Sequence, residues 1–326
     1  AESVADLIDA ETAEAAKNAV CQLDGVLSRT IAGIYDGLMA MAARFYAVVD
    51  YPDEDIEDVQ RQEMLDTLSR AQRELERLLA TFSRGQLLKQ GVPAVILGRP
   101  NAGKSSLLNA LLGYDRAIVT DIAGTTRDTV EEKVLVGGVL LRLTDTAGIR
   151  NSADRIEAMG VERSRQAAQR AALALLVLDG SQILTDEDEQ AMAAAEQTPR
   201  LLVLVNKSDL PQKLDTAALA ERFPRVLHIS AQTGAGLDAL AETVAALYPA
   251  GETPAGELLT NARQADAVER ALSAAAEARG ALDMGMTPDV VLTDCEAALE
   301  ALGELNGKRI REDLVDTIFS RFCVGK

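Results

Sequence analysis

Apolar positions along the chain change their rhythm twice. Up to about residue 90 they recur at helical spacing among Ala, Glu, Arg and Leu, as in ESVADLIDAETAEAAKNAV. Met64, Leu65, Leu68, Leu75, Leu78 and Leu79 form such a stripe between Arg61 and Leu88. YPDEDIED (51–58) interrupts it as a loop or helix start, since Pro52 opens the stretch and the acids suit a first helical turn. From residue 92 the pattern shortens to compact apolar runs: VPAVILG (92–98), LALLVLDG (173–180), LLVLVNKSD (201–209) and VLHISAQTG (226–234). These runs read as buried strands that end in polar residues and lead into helical segments. KVLVGGVLLRLTDTAG reads as two strands joined by a tight hairpin at Gly137-Gly138. Beyond residue 260 the helical spacing returns, broken near Gly285–Pro288 and at Gly303–Gly307. The pattern predicts an α/β phosphate-binding domain at 91–250, with a mostly parallel, doubly wound sheet and its sites at the strand C-termini. That domain is inserted into an all-α helical domain made of residues 1–90 and 251–326. No Pro/Gly-rich linker separates the helical halves, which leaves them free to pack together, and no internal repeat is visible.

Composition narrows the function classes. The chain has 326 residues, 48% of them hydrophobic, enough for a large core. No apolar run approaches the ~18–20 residues of a membrane span, so no membrane partner and a cytoplasmic location are expected. The acidic start after Ala1 is neither a signal nor a transit peptide, and the missing initiator Met leads us to expect that upstream sequence has been removed. Three dispersed cysteines, Cys21, Cys295 and Cys323, suit a reducing compartment and make no zinc pattern. For Cys21 and Cys295, each within a helical pattern, core packing is expected. The single histidine, His228, sits in RVLHIS and reads as a buried strand residue, which excludes most Ser-His and Cys-His chemistry. Net charge is −18: residues 1–90 carry 17 acids and 9 bases, residues 251–326 carry 14 and 8, and the middle carries 20 and 16. An acidic chain repels a phosphate backbone at long range, so generic nucleic-acid binding is disfavoured. Lys308-Arg309 with Arg311 is a small basic candidate.

Five motifs carry chemistry. GRPNAGKSS (98–106) fits G-x-x-x-x-G-K-[ST] and follows a predicted strand. Its backbone N–H groups, from Asn101, Ala102, Gly103 and on to Ser106, suit phosphate oxygens. Lys104 neutralises the outer phosphates, Ser105 ligates Mg²⁺, and the following helix presents its positive end. NKSD (206–209) offers Asp209 to the paired donors of guanine, which adenine lacks, so an adenine would leave the carboxylate unmatched. Asn206 can bond both the base and its own loop, and the stem of Lys207 can lie over the ring. SAQTG (230–234) sits where a second base loop belongs, with Ser230 bracing it and Ala231 and Gln232 at the base. Together these favour GTP over ATP. TDIAGTTRD (120–128) lies where a nucleotide switch belongs, with contacts expected from Thr120, Asp121, Ile122, Ala123, Gly124 and Thr125. Thr126 is the candidate for a second Mg²⁺ ligand. DTAG (145–148) offers Asp145 to a metal-bound water and Gly148 to the γ-phosphate, with Thr146 and Ala147 between them. Phosphoryl transfer needs a positioned water and positive charge, yet the next residue is Ile149, which can orient nothing.

The order GRPNAGKSSLLNALLG, TDIAGTTRD, DTAGIR, NKSD and SAQTG resembles the bacterial tRNA-modification GTPase family MnmE, also called TrmE. AESVADLIDAET, YPDEDI and the terminal FCVGK (322–326) extend the resemblance over essentially the whole chain. The resemblance implies GTP hydrolysis that depends on K⁺ and is activated when two GTPase domains meet in a homodimer. It implies K⁺ held by Asn101, the backbones of Thr120 and Ile122, and Thr125, in place of an arginine finger. It also implies that Glu157 orients the attacking water through a second water; on its own Glu157 reads as a solvated helix charge. It further implies tRNA as substrate, modified at the wobble uridine to a 5-aminomethyl or carboxymethylaminomethyl form with a FAD-dependent partner, MnmG (GidA). Folate supplies the one-carbon unit in that family from an N-terminal domain, which is expected upstream of Ala1. Lys326 matches the family's terminal lysine near the folate pocket, and Cys323 matches a terminal cysteine with a role in the modification. Without the folate domain neither is expected to complete that chemistry. The alternative is a ribosome-assembly GTPase switch of the Era/Der type, which shares the apolar residue after DTAG but calls for a basic RNA-binding module that these acidic flanks lack. A third reading is a nucleotide-operated scaffold without significant turnover, against which the complete magnesium and base motifs argue.

Overall fold

The computed structural model describes residues 2–50, 60–114, 132–144, 165–249 and 253–321. The chain divides into two compact units, Ala1–Lys89 with Glu252–Lys326, and Gln90–Gly251.

The first unit is helical. Its described helices are α1 (Glu2–Ile8), α2 (Ala13–Leu23), α3 (Val26–Asp50), α4 (Arg61–Ala80) and α5 (Phe82–Gln90), followed after the second unit by Ala262–Asp283, Pro288–Asn306 and Ile310–Arg321. Thr12 caps α2 by accepting from the Ala15 N–H at 3.1 Å. The two halves of the unit share one core, in which Leu38, Leu68 and Leu75 meet Val268, Ala275, Leu299 and Leu302. Cys295 belongs to that core, whereas Cys21 is only half-buried. The Arg61–Leu88 stripe is split at Thr81, whose hydroxyl donates to the Leu78 carbonyl at 2.6 Å and accepts the Leu259 N–H at 3.0 Å. A side chain shared between its own helix and a distant segment turns the chain there. The break expected at Gly303–Gly307 is found at its far end: the helix runs to Asn306, and Gly307 caps it. Lys308 donates to Asp36 at 2.5 Å, so the small basic cluster is partly neutralised within the fold.

The second unit is a six-stranded sheet in the order β2-β3-β1-β4-β5-β6. The strands are β1 (Val92–Leu97), β2 (Glu132–Val136), β3 (Val139–Leu143), β4 (Leu173–Asp179), β5 (Leu201–Asn206) and β6 (Val226–His228). All neighbours pair parallel except the β2–β3 hairpin, which is antiparallel. This mostly parallel sheet with interleaved helices is the expected α/β class. Every residue of β4 is buried, as befits a central strand covered on both faces. His228 departs from expectation. It closes the three-residue edge strand β6 and is exposed, because an edge strand has a neighbour on one side only.

Candidate functional site

β1, β4 and β5 run parallel, so their C-terminal ends share one edge of the sheet, where ligands of such sheets bind. β1 delivers Gly98 to that edge. A Cβ on Gly98 would lie 2.3 Å from the Val177 carbonyl oxygen on β4, and the backbone there has φ 143°. Only glycine lets the loop leave β1 so close to its neighbour. The loop then passes Asn101, exposed and held at φ 62°, and enters helix α6 (Lys104–Tyr114). Leu107, Leu108 and Leu111 bury one face of α6 and fix its direction. Its first turn, Lys104 to Ser106, presents backbone N–H groups that the helix itself does not use, a ready anion site. The Lys104 ammonium bends back to the carbonyls of Gly98 and Arg99 at 2.7 and 2.8 Å. Burial pushes its pKa down, against the opposing charge of Glu187.

β5 delivers the second loop and interlocks it with the first. Asn206 is 2% exposed. Its Nδ2 donates to the Ala102 carbonyl at 2.9 Å and its Oδ1 accepts the Ala231 N–H at 3.0 Å. Both polar ends of one buried amide are thus used, one on each side. The fit leaves no slack, since a Cβ on Gly103 would lie 2.1 Å from Asn206 Nδ2. Asp209 is exposed, and its Oδ1 accepts from the Ser230 hydroxyl at 2.5 Å. Ser230, fully buried, also accepts the Thr233 N–H at 3.2 Å. The carboxylate is therefore oriented by a hydroxyl that is itself fixed. Gln232 follows, exposed.

The sequence reading missed the end of β4. Asp179 lies between the two loops with its side chain 2% exposed, paired with Lys207 at 2.7 Å. Burial works to raise its pKa, but hydrogen bonds from Lys207 and Ser181 prevail and hold the carboxyl below its ordinary range. Arg99, in the phosphate loop, approaches Asp188 at 3.2 Å. The signal was present as an acid closing an otherwise apolar run, LALLVLDG.

The structure thus gathers Asn101, Ala102, Gly103, Lys104, Ser105 and Ser106 with Asn206, Lys207, Asp209, Ser230, Ala231 and Gln232 at one sheet edge. Thr120 to Thr126, Asp145 to Gly148, Glu157, Cys323, Lys326 and YPDEDI lie outside the described residues. No helix among the described residues is long and apolar enough to cross a membrane.

Comparison with known proteins bears on the whole chain. A family model described as the MnmE helical domain matches residues 1–323. The tRNA modification GTPase MnmE of Lactococcus lactis subsp. lactis (strain IL1403) is 44% identical over 329 residues, covering 100% of this chain and 71% of that protein. The protein of the same name from Heliobacterium modesticaldum (strain ATCC 51547 / Ice1) is 42% identical over 337 residues, covering 100% and 72%. Among solved structures, the G domain of the T. maritima FeoB iron transporter is 25% identical and covers 48% of this chain and 98% of its own, at a TM-score of 0.36, too low to argue from.

Proposed function

The chain belongs to the MnmE family of tRNA modification GTPases, and from that premise we propose that it binds and hydrolyses GTP in the service of tRNA modification. The observation that carries this reading is the Asn206 interlock, which ties a phosphate loop to a loop with an oriented carboxylate. A guanine placed against Asp209 then has its phosphates on Gly103, Lys104 and the head of α6.

A magnesium ion is implied by the family. It takes one or two protein oxygens and completes its shell with phosphate oxygens and water. The hydroxyl of Ser105, at the first turn of α6 beside Lys104, is a donor of that kind, and Thr126 is proposed as the second. Bound there, the ion would neutralise charge on the outer phosphates. The protein's own residues carry the rest of the reaction: Lys104 places a second positive charge, and the loop amides fix the phosphates before charge develops. Asp145 and Gly148 are proposed at the metal-bound water and γ-phosphate.

The finer reading follows the family resemblance. K⁺ is held by Asn101, Thr120, Ile122 and Thr125. Glu157 orients the water that Ile149 cannot. Turnover awaits a homodimer, in which two switch regions meet. The FAD-dependent partner is MnmG (GidA), the substrate is the wobble uridine of tRNA, and the setting is the cytoplasm. Folate is assigned to a domain outside these residues, to which Lys326 and Cys323 would contribute.

The test is GTP turnover across protein concentration in K⁺ and in Na⁺, with Glu157→Ala alongside. Stimulation by K⁺ that grows with protein concentration is expected. The alanine variant should lose about 10²-fold or more in kcat, the usual share of a positioned acid–base group, while retaining GTP. Equal rates in the two salts, or an active alanine variant, would sink the K⁺ and Glu157 assignments.

A further inference from the structure

Asp179 belongs to neither the phosphate-loop pattern nor the base pattern, yet its carboxylate stands between them. Oδ1 accepts from the Ser181 N–H at 3.0 Å and the Ser181 hydroxyl at 2.6 Å. Oδ2 accepts from the Lys207 ammonium at 2.7 Å. The Asp179 side chain is 2% exposed and that of Lys207 31%. The carboxylate is therefore the fixed member of the pair, held by a buried strand end and two donors, and the lysine is the one that needs fixing. Lys207 leaves a backbone set at φ 62°. With its far end anchored as well, the four-carbon stem loses most of the rotamer freedom an exposed lysine keeps. Arg99 brings a second cation within 3.9 Å of the same Oδ2. Its guanidinium is held instead by Gln182 at 2.9 Å and Asp188 at 3.2 Å, so Lys207 is the main partner.

We propose that Asp179 is a positioning residue for the guanine nucleotide: by anchoring the Lys207 ammonium it lays the lysine stem as a rigid apolar platform beside Asn206, Asp209 and Ala231, and so sets how long the nucleotide stays bound. The inference rests on the guanine reading of that loop. Asp209 faces the base edge, so Asp179 governs residence time and leaves base selectivity to Asp209.

The test is stopped-flow release of a fluorescent GDP from the full chain, its Asp179→Asn and Lys207→Met variants, and the double variant. Asn keeps the size of the side chain and an acceptor for Ser181. Met keeps an apolar stem and removes the ammonium. Each single change should raise the release rate about tenfold, the worth of one charge-assisted hydrogen bond. The double variant should stay within about twofold of Lys207→Met, because one interaction is lost once only. KM for GTP should rise with the release rate while kcat lags behind, and the preference for GDP over IDP should hold. A purely structural Asp179 predicts the opposite: Asp179→Asn would multiply the release rate equally in both backgrounds, and that result overturns the proposal. Lys207→Met changes a partly exposed side chain and stands as an independent arm, so wild-type release from it overturns the proposal even if Asp179→Asn fails to fold. Failure of the wild type to retain GDP would instead overturn the guanine reading itself.

Discussion

Replacing Asn206 with alanine strikes the contact on which the nucleotide site is built. The amide is 2% exposed and satisfies two partners, the buried Ala102 carbonyl and the partly buried Ala231 N–H. Alanine leaves both unpaired, at ~1–3 kcal/mol each. The vacated volume is lined by polar groups and admits a water that restores part of this, so a loss of about 3 kcal/mol is expected. For a domain of this size each kcal/mol moves Tm by ~2–4 °C, giving a fall of roughly 6–12 °C. The measurement is scanning calorimetry of the whole chain, with the transition of unit 90–251 recognised as the one that GDP shifts upward. GDP affinity should fall further than stability alone implies, because the phosphate loop and the base loop lose their common anchor; a rise in Kd of about thirtyfold corresponds to ~2 kcal/mol. A Tm within 2 °C of wild type together with unchanged GDP affinity would refute the view that Asn206 joins the two loops.

Two further changes probe the fold around the site and away from it. Gly98→Ala places a methyl 2.3 Å from the Val177 carbonyl on a backbone at φ 143°; we expect a loss of several kcal/mol and no GDP retention, and a folded, GDP-binding alanine variant in circular dichroism and filter binding would contradict the close β1–β4 departure. Cys295 tests electrostatics in the helical core: burial, then the charges of Asp294 and Glu296, push its thiol from 9.0 up to about 12. A raised folded pKa leaves stability intact below the unfolded value and erodes it as pH climbs toward the folded one. Between pH 9 and 10 the wild type should therefore lose about 1 kcal/mol more than Cys295→Ala in urea unfolding, and parallel curves for the two proteins would refute it.

Which parts of this arrangement were legible in the sequence follows from what each depends on. β1, β4 and β5 announce themselves because strands covered on both faces become unbroken apolar runs, and the phosphate loop because its chemistry needs glycines and a lysine at fixed offsets. His228 misled because its neighbours are apolar while its strand is at the sheet edge, and edge position is decided by strand order, which a local window does not contain. The helix break expected at Gly303–Gly307 was legible because Gly307 supplies the left-handed cap, while Gly303 answers a different need. Gly303 sits in the last helical turn, where a Cβ would lie 2.7 Å from the Lys308 carbonyl as the chain folds back past the cap. Asp179 looked like an ordinary strand end until Lys207, 28 residues on, was found against it.

The same dependence on distant partners explains how a 162-residue unit can interrupt a helical one without breaking its core. An insertion is tolerated when the host holds the two ends of the interruption close together. Here one carboxylate bridges the two halves of the host: Asp6 of α1 accepts from Lys89 at 2.6 Å, at the last turn of α5, and from Thr260 at 2.8 Å, in the returning segment. The returning segment is then bound along its length by buried polar side chains of the first half. Asn18 accepts the Gly256 N–H at 2.7 Å, Gln22 donates to the Leu258 carbonyl at 2.7 Å, and Thr81 accepts the Leu259 N–H at 3.0 Å. Buried backbone groups must be paired somewhere; the Gly256 and Leu259 N–H groups and the Leu258 carbonyl are paired to α2 and to the end of α4, while the Glu257 N–H turns back to the Pro254 carbonyl at 3.2 Å. The shape of the returning segment is set by residues more than 170 positions upstream, which makes closure of the helical unit conditional on both halves being present.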